Sequence, residues 1–220
     1  MESTFEVTYR HAANTREEAV ALAALDLAAW GEDAAAPEDW IAQRLARYAY
    51  GTIVAKQDGR VIGSAVTLRI KGFNPDDPEM SWLKCTGDGV LDTHDPEGET
   101  IFGVNFSVHQ DAPEGVGSEM LRMILRDLIV AGNCVRGAVG CRLPGFAKAK
   151  EKNAALTAEE YFFGKRENGK PLDPHVRLFS EVVVDAVPFL PIRPIPNYFA
   201  DPDSLDHGGL MMWMNPHYRG

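Results

Sequence analysis

Between Ile101 and Val108 the chain alternates Phe102, Val104, Phe106 and Val108 with Gly103, Asn105 and Ser107. A period of two predicts a strand with the four large side chains on one face and the small or polar ones on the other. After a glycine-containing loop, Leu121, Ile124, Leu125 and Leu128 recur at helical spacing, and Val135 to Cys141 becomes extended again. Upstream, Phe5 to Tyr9 reads as a short strand. Thr15 and Glu18 have the spacing of a capping box, ahead of an apolar helical face of Ala19, Leu22, Ala23, Leu27 and Trp30. Pro37 suits the start of a second helix carrying Trp40, Ile41, Leu45 and Tyr48. Thr52 to Lys56 and Arg60 to Ile70 are strands, and Asp58-Gly59 between them predicts a tight hairpin that needs positive φ.

Residues 72 to 98 are rich in Gly, Pro and Asp and carry no clear periodicity. A loop of that length inside a domain is either functional or a disordered insertion, and Trp82, Leu83 and Val90 favour partial packing. Thr157 with Glu160 is a second capping box, and Asp173-Pro174 suits another helix start. The tail alternates prolines with the extended segments Val182 to Val187, Ile192 to Tyr198 and Gly209 to Met214. No internal repeat or long linker is present, so 220 residues at 45% hydrophobic predict one domain over 1–220.

A net charge of −10 disfavours nucleic-acid partners, because an acidic surface repels phosphate backbones. Cys85, Cys134 and Cys141 form no CxxC pair, which predicts free thiols, a cytoplasmic setting and no metal site. Met1 to Arg10 is mixed and polar rather than a signal peptide, and no apolar run is long enough to span a membrane.

The chemistry concentrates at Gly115-Val116-Gly117-Ser118, between the clearest strand and the clearest helix. Free amides at a helix start attract an anion, and glycine lets a phosphate approach the backbone. Met120 stands where a dinucleotide fingerprint needs its third glycine.

At these residues the chain resembles the GNAT superfamily of acyl-CoA-dependent N-acyltransferases. The resemblance lies in a strand ending at Val108, then His109-Gln110-Asp111-Ala112-Pro113-Glu114-Gly115-Val116-Gly117, then a helix. A narrower resemblance is to the GNAT-type domain found fused to nitrilase-like hydrolases, here standing alone. It rests on Trp82, Thr93 to Gly98, Gly140 to Phe146, Leu156 to Tyr161, Pro196-Asn197-Tyr198 and Trp213 to Pro216.

The resemblance implies an α/β (α+β) GNAT fold, with a mixed sheet of about seven strands splayed between strands 4 and 5 and helices on both faces. It implies acetyl-CoA as acyl donor, with the diphosphate on Gly115, Val116, Gly117 and Ser118 and the pantetheine on the main chain of Phe106, Ser107 and Val108. An amine would attack the thioester directly. Only about one alkylamine in a thousand is neutral at pH 7, so a base or a water chain must take its proton.

His94 is the preferred base, His109 and His207 are further options, and Tyr161 and Tyr198 are candidate acids. Trp82, Asn105, Arg142 and Asn197 are expected on the substrate side. The Arg142 fork points to a small-molecule amine that also carries a carboxylate or phosphate. A homodimer is compatible with this reading.

The loop departs from the family pattern. It is one residue shorter, the usual arginine or glutamine is absent, and Glu114 lies beside the expected diphosphate. The usual tyrosine is missing around Phe179 to Val184. These departures keep open a non-catalytic coenzyme-binding module, thioester hydrolysis, or a different acyl donor.

Overall fold

The computed structural model describes residues 6–220. The chain runs through strand β1 (Thr8–His11) and helices α1 (Arg16–Trp30) and α2 (Glu38–Tyr48) into the hairpin of β2 (Thr52–Gln57) and β3 (Arg60–Ile70). Asp58 at φ 52° and Gly59 at φ 79° make the expected turn. Helix α3 (Trp82–Thr86) precedes β4 (Thr100–Val108), α4 (Val116–Met123) and β5 (Arg136–Arg142). Helices α5 (Phe146–Lys152), α6 (Ala158–Phe163) and α7 (Pro174–Glu181) follow. The two-residue strands β6 (Val183–Val184) and β7 (Val187–Pro188) form a small hairpin, and β8 (Leu190–Ile195) and β9 (Gly208–Met214) end the fold.

Seven strands form one mixed sheet in the order β1-β2-β3-β4-β5-β9-β8. Of its pairs, β4 with β5 is parallel and the others are antiparallel. The returning β9 fits between β5 and the edge strand β8, a placement that strand periodicity does not reveal. One core lies between the sheet and α4 to α7, with Met120, Leu125, Phe146, Phe162 and Trp213 among its buried residues. On the other face, Leu22 and Leu25 of α1 and Ile41 and Leu45 of α2 pack on Val54 and Val61.

Several local expectations change. Phe5 lies outside the described residues, and β1 begins at Thr8. Thr15 caps α1 by accepting from the Glu18 amide at 3.2 Å, but the Glu18 carboxylate turns to Arg10 and the Ala13 amide, so the box is half formed. The box at Thr157 and Glu160 is complete. On α1 the buried stripe runs through Ala19, Leu22, Leu25 and Asp26, while Leu27 is half exposed. Residues 72–98 are built rather than structureless: they contain α3 and a π-turn over Gly87–Leu91, with Met80 and Leu91 fully buried.

The largest correction is in β4. Val66 faces Asn105 and Thr67 faces Gly103, so Val104 is one extra residue, a β-bulge. The bulge shifts the alternation by one. Phe102 and Val104 pack on one face, whereas Ile101, Phe106 and Val108 pack towards α4 on the other.

Candidate active site

β4 and β5 are paired only from Thr100 with Arg136 to Gly103 with Val139. Beyond that point the two strands diverge, and a cleft of about 580 Å³ opens between them. The bulge at Val104 sits at the start of the split, where it bends β4 away. Trp82 fixes this geometry: its indole N–H donates to the Val104 carbonyl at 2.8 Å, and its amide donates to the Tyr198 carbonyl at 2.8 Å. The Tyr198 ring lies against β5 at Gly140, where a Cβ would come within 2.3 Å of the phenol oxygen. Only glycine fits there.

Strand geometry decides which main-chain groups face the cleft. The His109 amide donates to the Ile62 carbonyl of β3 at 2.8 Å. Alternation therefore turns the Ser107 main chain to β3 and the Phe106 and Val108 main chains to the open edge. The Ser107 hydroxyl is buried on the α1 side.

At the open end, Gly115 at φ 90° caps α4, a conformation that favours glycine. The amides of Gly117 and Ser118 open the helix and have no intrahelical partner. Gly117 lies under Phe106, with the ring 3.2 Å from its would-be Cβ. Glu114 is exposed. Past Met123 the helix widens into a π-helical stretch, Ile124–Val130, whose aliphatic side chains pack on the sheet.

Across the sheet, the α1–α2 side of the cleft carries a buried polar network. Asp26, 3% exposed, accepts from Asn105 Nδ2 at 2.7 Å, the Ser107 hydroxyl at 2.5 Å and the Ala36 amide at 2.9 Å. Trp30 Nε1 donates to Ser107 at 2.8 Å. Arg44, also buried, donates to the Gly89 carbonyl at 2.7 Å; desolvation weakens its hold on its proton and the Asp26 charge opposes that. Asn105 thus serves the cleft wall by holding Asp26.

Arg142 reaches the cleft with its fork already engaged. Nε and Nη2 each bond an Asp201 carboxylate oxygen at 2.7 Å, and the guanidinium lies 5.4 Å from the Trp30 ring centre. Burial raises the Asp201 pKa, but the bonds from Arg142 and Ser204 outweigh it and hold the carboxyl below its ordinary value. The pair is neutral overall, which removes the argument for an acceptor carboxylate or phosphate.

The other expected residues are dispersed. His94 does not line the cleft. Its Nδ1 accepts from the Arg69 amide at 3.1 Å, its ring stacks on Tyr48 at 4.2 Å, and burial followed by the Arg69 charge lowers its pKa. Tyr161 donates to buried Asp173 at 3.0 Å and ties α6 to the α7 cap, away from the cleft. Asn197 is an exposed turn residue at φ 51°. Tyr198 does line the cleft, and its hydroxyl is buried without a hydrogen-bond partner. Burial raises its pKa well above that of an ordinary phenol, so it stays protonated. His207 lines the cleft with Nδ1 2.6 Å from the Leu205 carbonyl, while His109 meets Arg60 and the Asp111 amide beside the loop.

Asp26, Arg44 and His175 were not anticipated. Asp26 had a signal, since it is the one acid in an otherwise apolar run from Ala19 to Trp30. His175 had none; it lines the cleft from the first turn of α7. Its pKa is lowered, first by burial, with Asp173 opposing and Arg142 assisting.

No family model matches the chain. An uncharacterized N-acetyltransferase of Bacillus subtilis, YkwB, is 30% identical over 183 residues, covering 83% of this chain and 76% of YkwB. This chain belongs to the GNAT N-acetyltransferase superfamily. A second B. subtilis protein, the probable hydrolase YhcX, is 27% identical over 175 residues; that is 79% of this GNAT chain but 32% of YhcX. The GphF GNAT-like decarboxylase in complex with isobutyryl-CoA shares the fold at a TM-score of 0.76 and 20% identity, covering 94% of this chain and 98% of that one. Membership accounts for the splayed β4–β5 pair. Among the described residues no group of His, Cys, Asp and Glu could hold a metal ion, and no helix is long and apolar enough to cross a membrane. All three cysteines are unpaired.

Proposed function

We propose that this GNAT protein transfers an acyl group from coenzyme A to a small-molecule amine by direct attack on the thioester. The observation that carries this reading is the split of β4 from β5 at Gly103, with the Gly115–Ser118 amides at the open end of β4. The diphosphate lies on the Gly117 and Ser118 amides, and the pantetheine pairs with the open-edge groups of Phe106 and Val108. The thioester then rests at the bulge.

The amine enters from the α1–α2 side, past Trp30. Asp26, Asp33 and Asp201 face Arg44 and Arg142 there, a lining without excess positive charge that suits a cationic amine better than an acid. The ammonium releases one proton to bulk solvent as it enters, and His175, neutral because of its burial, accepts the second proton, which the nitrogen loses on attack. The nitrogen attacks the thioester carbonyl and the C–S bond breaks. Tyr198 protonates the departing thiolate, and the phenolate recovers the proton held by His175. The net products are an amide, free coenzyme and the one proton released by the entering ammonium.

The test is thiol release from acetyl-CoA across a panel of amines, with His175→Ala and Tyr198→Phe alongside wild type. Each variant is expected to lower kcat about a hundredfold, the usual scale for loss of an acid or base. Tyr198→Phe should cost at most about 1 kcal/mol, the scale of one ordinary hydrogen bond, because only the Gly140 backbone lies beside its hydroxyl. Coenzyme binding without thiol release would make the domain a binding module. Release without any amine would make it a thioesterase.

A further inference from the structure

The cleft does not stop where the two strands meet. Gly103 and Val139 form the last paired rung, yet the cavity wall also includes Ile101 and Gly137, two residues further into the paired region. At strand rise this is roughly 7 Å beyond the apex of the split. The extension lies on the α4 face, where Leu121 of α4, Ile129 of the π-helical stretch, Phe179 of α7 and Phe189 complete the wall. None of these six residues carries a charge or a side-chain hydrogen-bonding group. The chamber is continuous with the coenzyme end of the cleft and lies on the same face as Phe106 and Gly117.

An acetyl methyl would occupy only the mouth of such a chamber. We infer that the acyl donor carries an aliphatic chain longer than acetyl, and that the chamber behind the apex holds it. The inference rests on the acyltransferase reading and names its donor class. The occupant follows from continuity: a chain on the thioester carbonyl has the apex on one side and the polar Asp26 network on the other. Hydrocarbon leaves water favourably only into the apolar side. Gly137 sets the depth. A Cβ there would come 2.6 Å from Ile129 Cδ1, with Leu125 and Phe189 side-chain atoms each 3.9 Å away, so a methyl group pushes the flexible end of Ile129 into the chamber.

The experiment is a calorimetric titration of the full chain with coenzyme A and its acetyl, butyryl, hexanoyl and octanoyl thioesters. Each buried methylene is worth up to about fourfold in affinity. Hexanoyl-CoA should therefore bind at least about tenfold more tightly than acetyl-CoA. Gly137→Ala should lower the hexanoyl-to-acetyl affinity ratio. Equal affinity for acetyl and hexanoyl thioesters in wild type overturns the inference, whether or not the variant folds, and leaves the acyltransferase reading standing. An unchanged ratio in folded Gly137→Ala also overturns it. No binding of coenzyme A or any thioester overturns the acyltransferase reading itself, and this inference with it.

Discussion

On the α4 side of the split sheet the cleft wall is aliphatic and aromatic, and what it offers a ligand is main chain and space. On the α1–α2 side, Asp26, Asn105, Ser107 and Trp30 are hydrogen-bonded into one network, and buried Arg44, bonded to the Gly89 carbonyl, feels the Asp26 charge. The first wall is tolerant, because apolar contacts are non-directional and side-chain ends can shift. The second is demanding, because each buried donor and acceptor depends on a specific partner. A donor thioester placed by its phosphates and backbone needs little side-chain chemistry. An acceptor that must arrive in one orientation needs a rigid wall, and Asp26 supplies it by tying α1, the Ala36 amide and β4 together.

The sharpest way to break this contrast is Asp26→Ala. It strands the Asn105 amide, the Ser107 hydroxyl and the Ala36 amide, and it removes the charge that offsets Arg44's burial. A loss of roughly 3–5 kcal/mol is expected in a urea titration, the scale for a buried charge left unpaired. A loss below about 1 kcal/mol, the scale of one ordinary hydrogen bond, would mean the network is dispensable.

On the coenzyme side, Gly117→Asp puts a carboxylate beside the proposed diphosphate. Wild type should gain roughly 2.7 kcal/mol at about 100 times Kd of acyl-CoA, read as a rise in Tm. The variant should gain almost nothing. Equal shifts would remove the loop from the coenzyme site.

The smallest effect is a pH dependence. Burial lowers the pKa of both His94 and His175 from the ordinary 6.5. Below that value the unfolded chain takes up protons that the folded chain refuses, so stability is full above about pH 6.5 and falls as pH drops towards the folded values. Urea midpoints at pH 7.5 and 5.5 should show this fall. His94→Gln should flatten it in part, by removing a histidine that does not line the cleft. A midpoint that rises on acidification would reverse the sign and contradict the desolvation that lowers both pKa values.

Most of the order of strands and helices, α3 and α5 excepted, was legible because it is local chemistry. Asp58-Gly59, the complete Thr157 box and the Asp173-Pro174 helix start each satisfy backbone groups within a few residues. The glycine loop was legible for the same reason. His94 misled because the sequence shows an isolated histidine in a long loop but not the Tyr48 ring and Arg69 amide that hold it. Tyr161 misled likewise, since a phenol reads as available until Asp173 is brought up from elsewhere in the chain; Arg142 does line the cleft, but paired with Asp201.

By itself, then, the sequence determined most of the elements though not α3 or α5, the Asp58-Gly59 turn, the Thr157 box, the glycine-marked helix start and the family resemblance. The tertiary structure alone decided three things. It placed the bulge at Val104, which sets which β4 side chains face α4. It put β9 between β5 and β8 and ended the β4–β5 pairing at Gly103, which leaves the β4 edge open beyond. It also brought Asp26, His175 and Tyr198 to one cleft from positions far apart in the chain. Register and long-range pairing depend on packing summed over the whole sheet, and a one-residue slip reverses every face while leaving the local pattern unchanged.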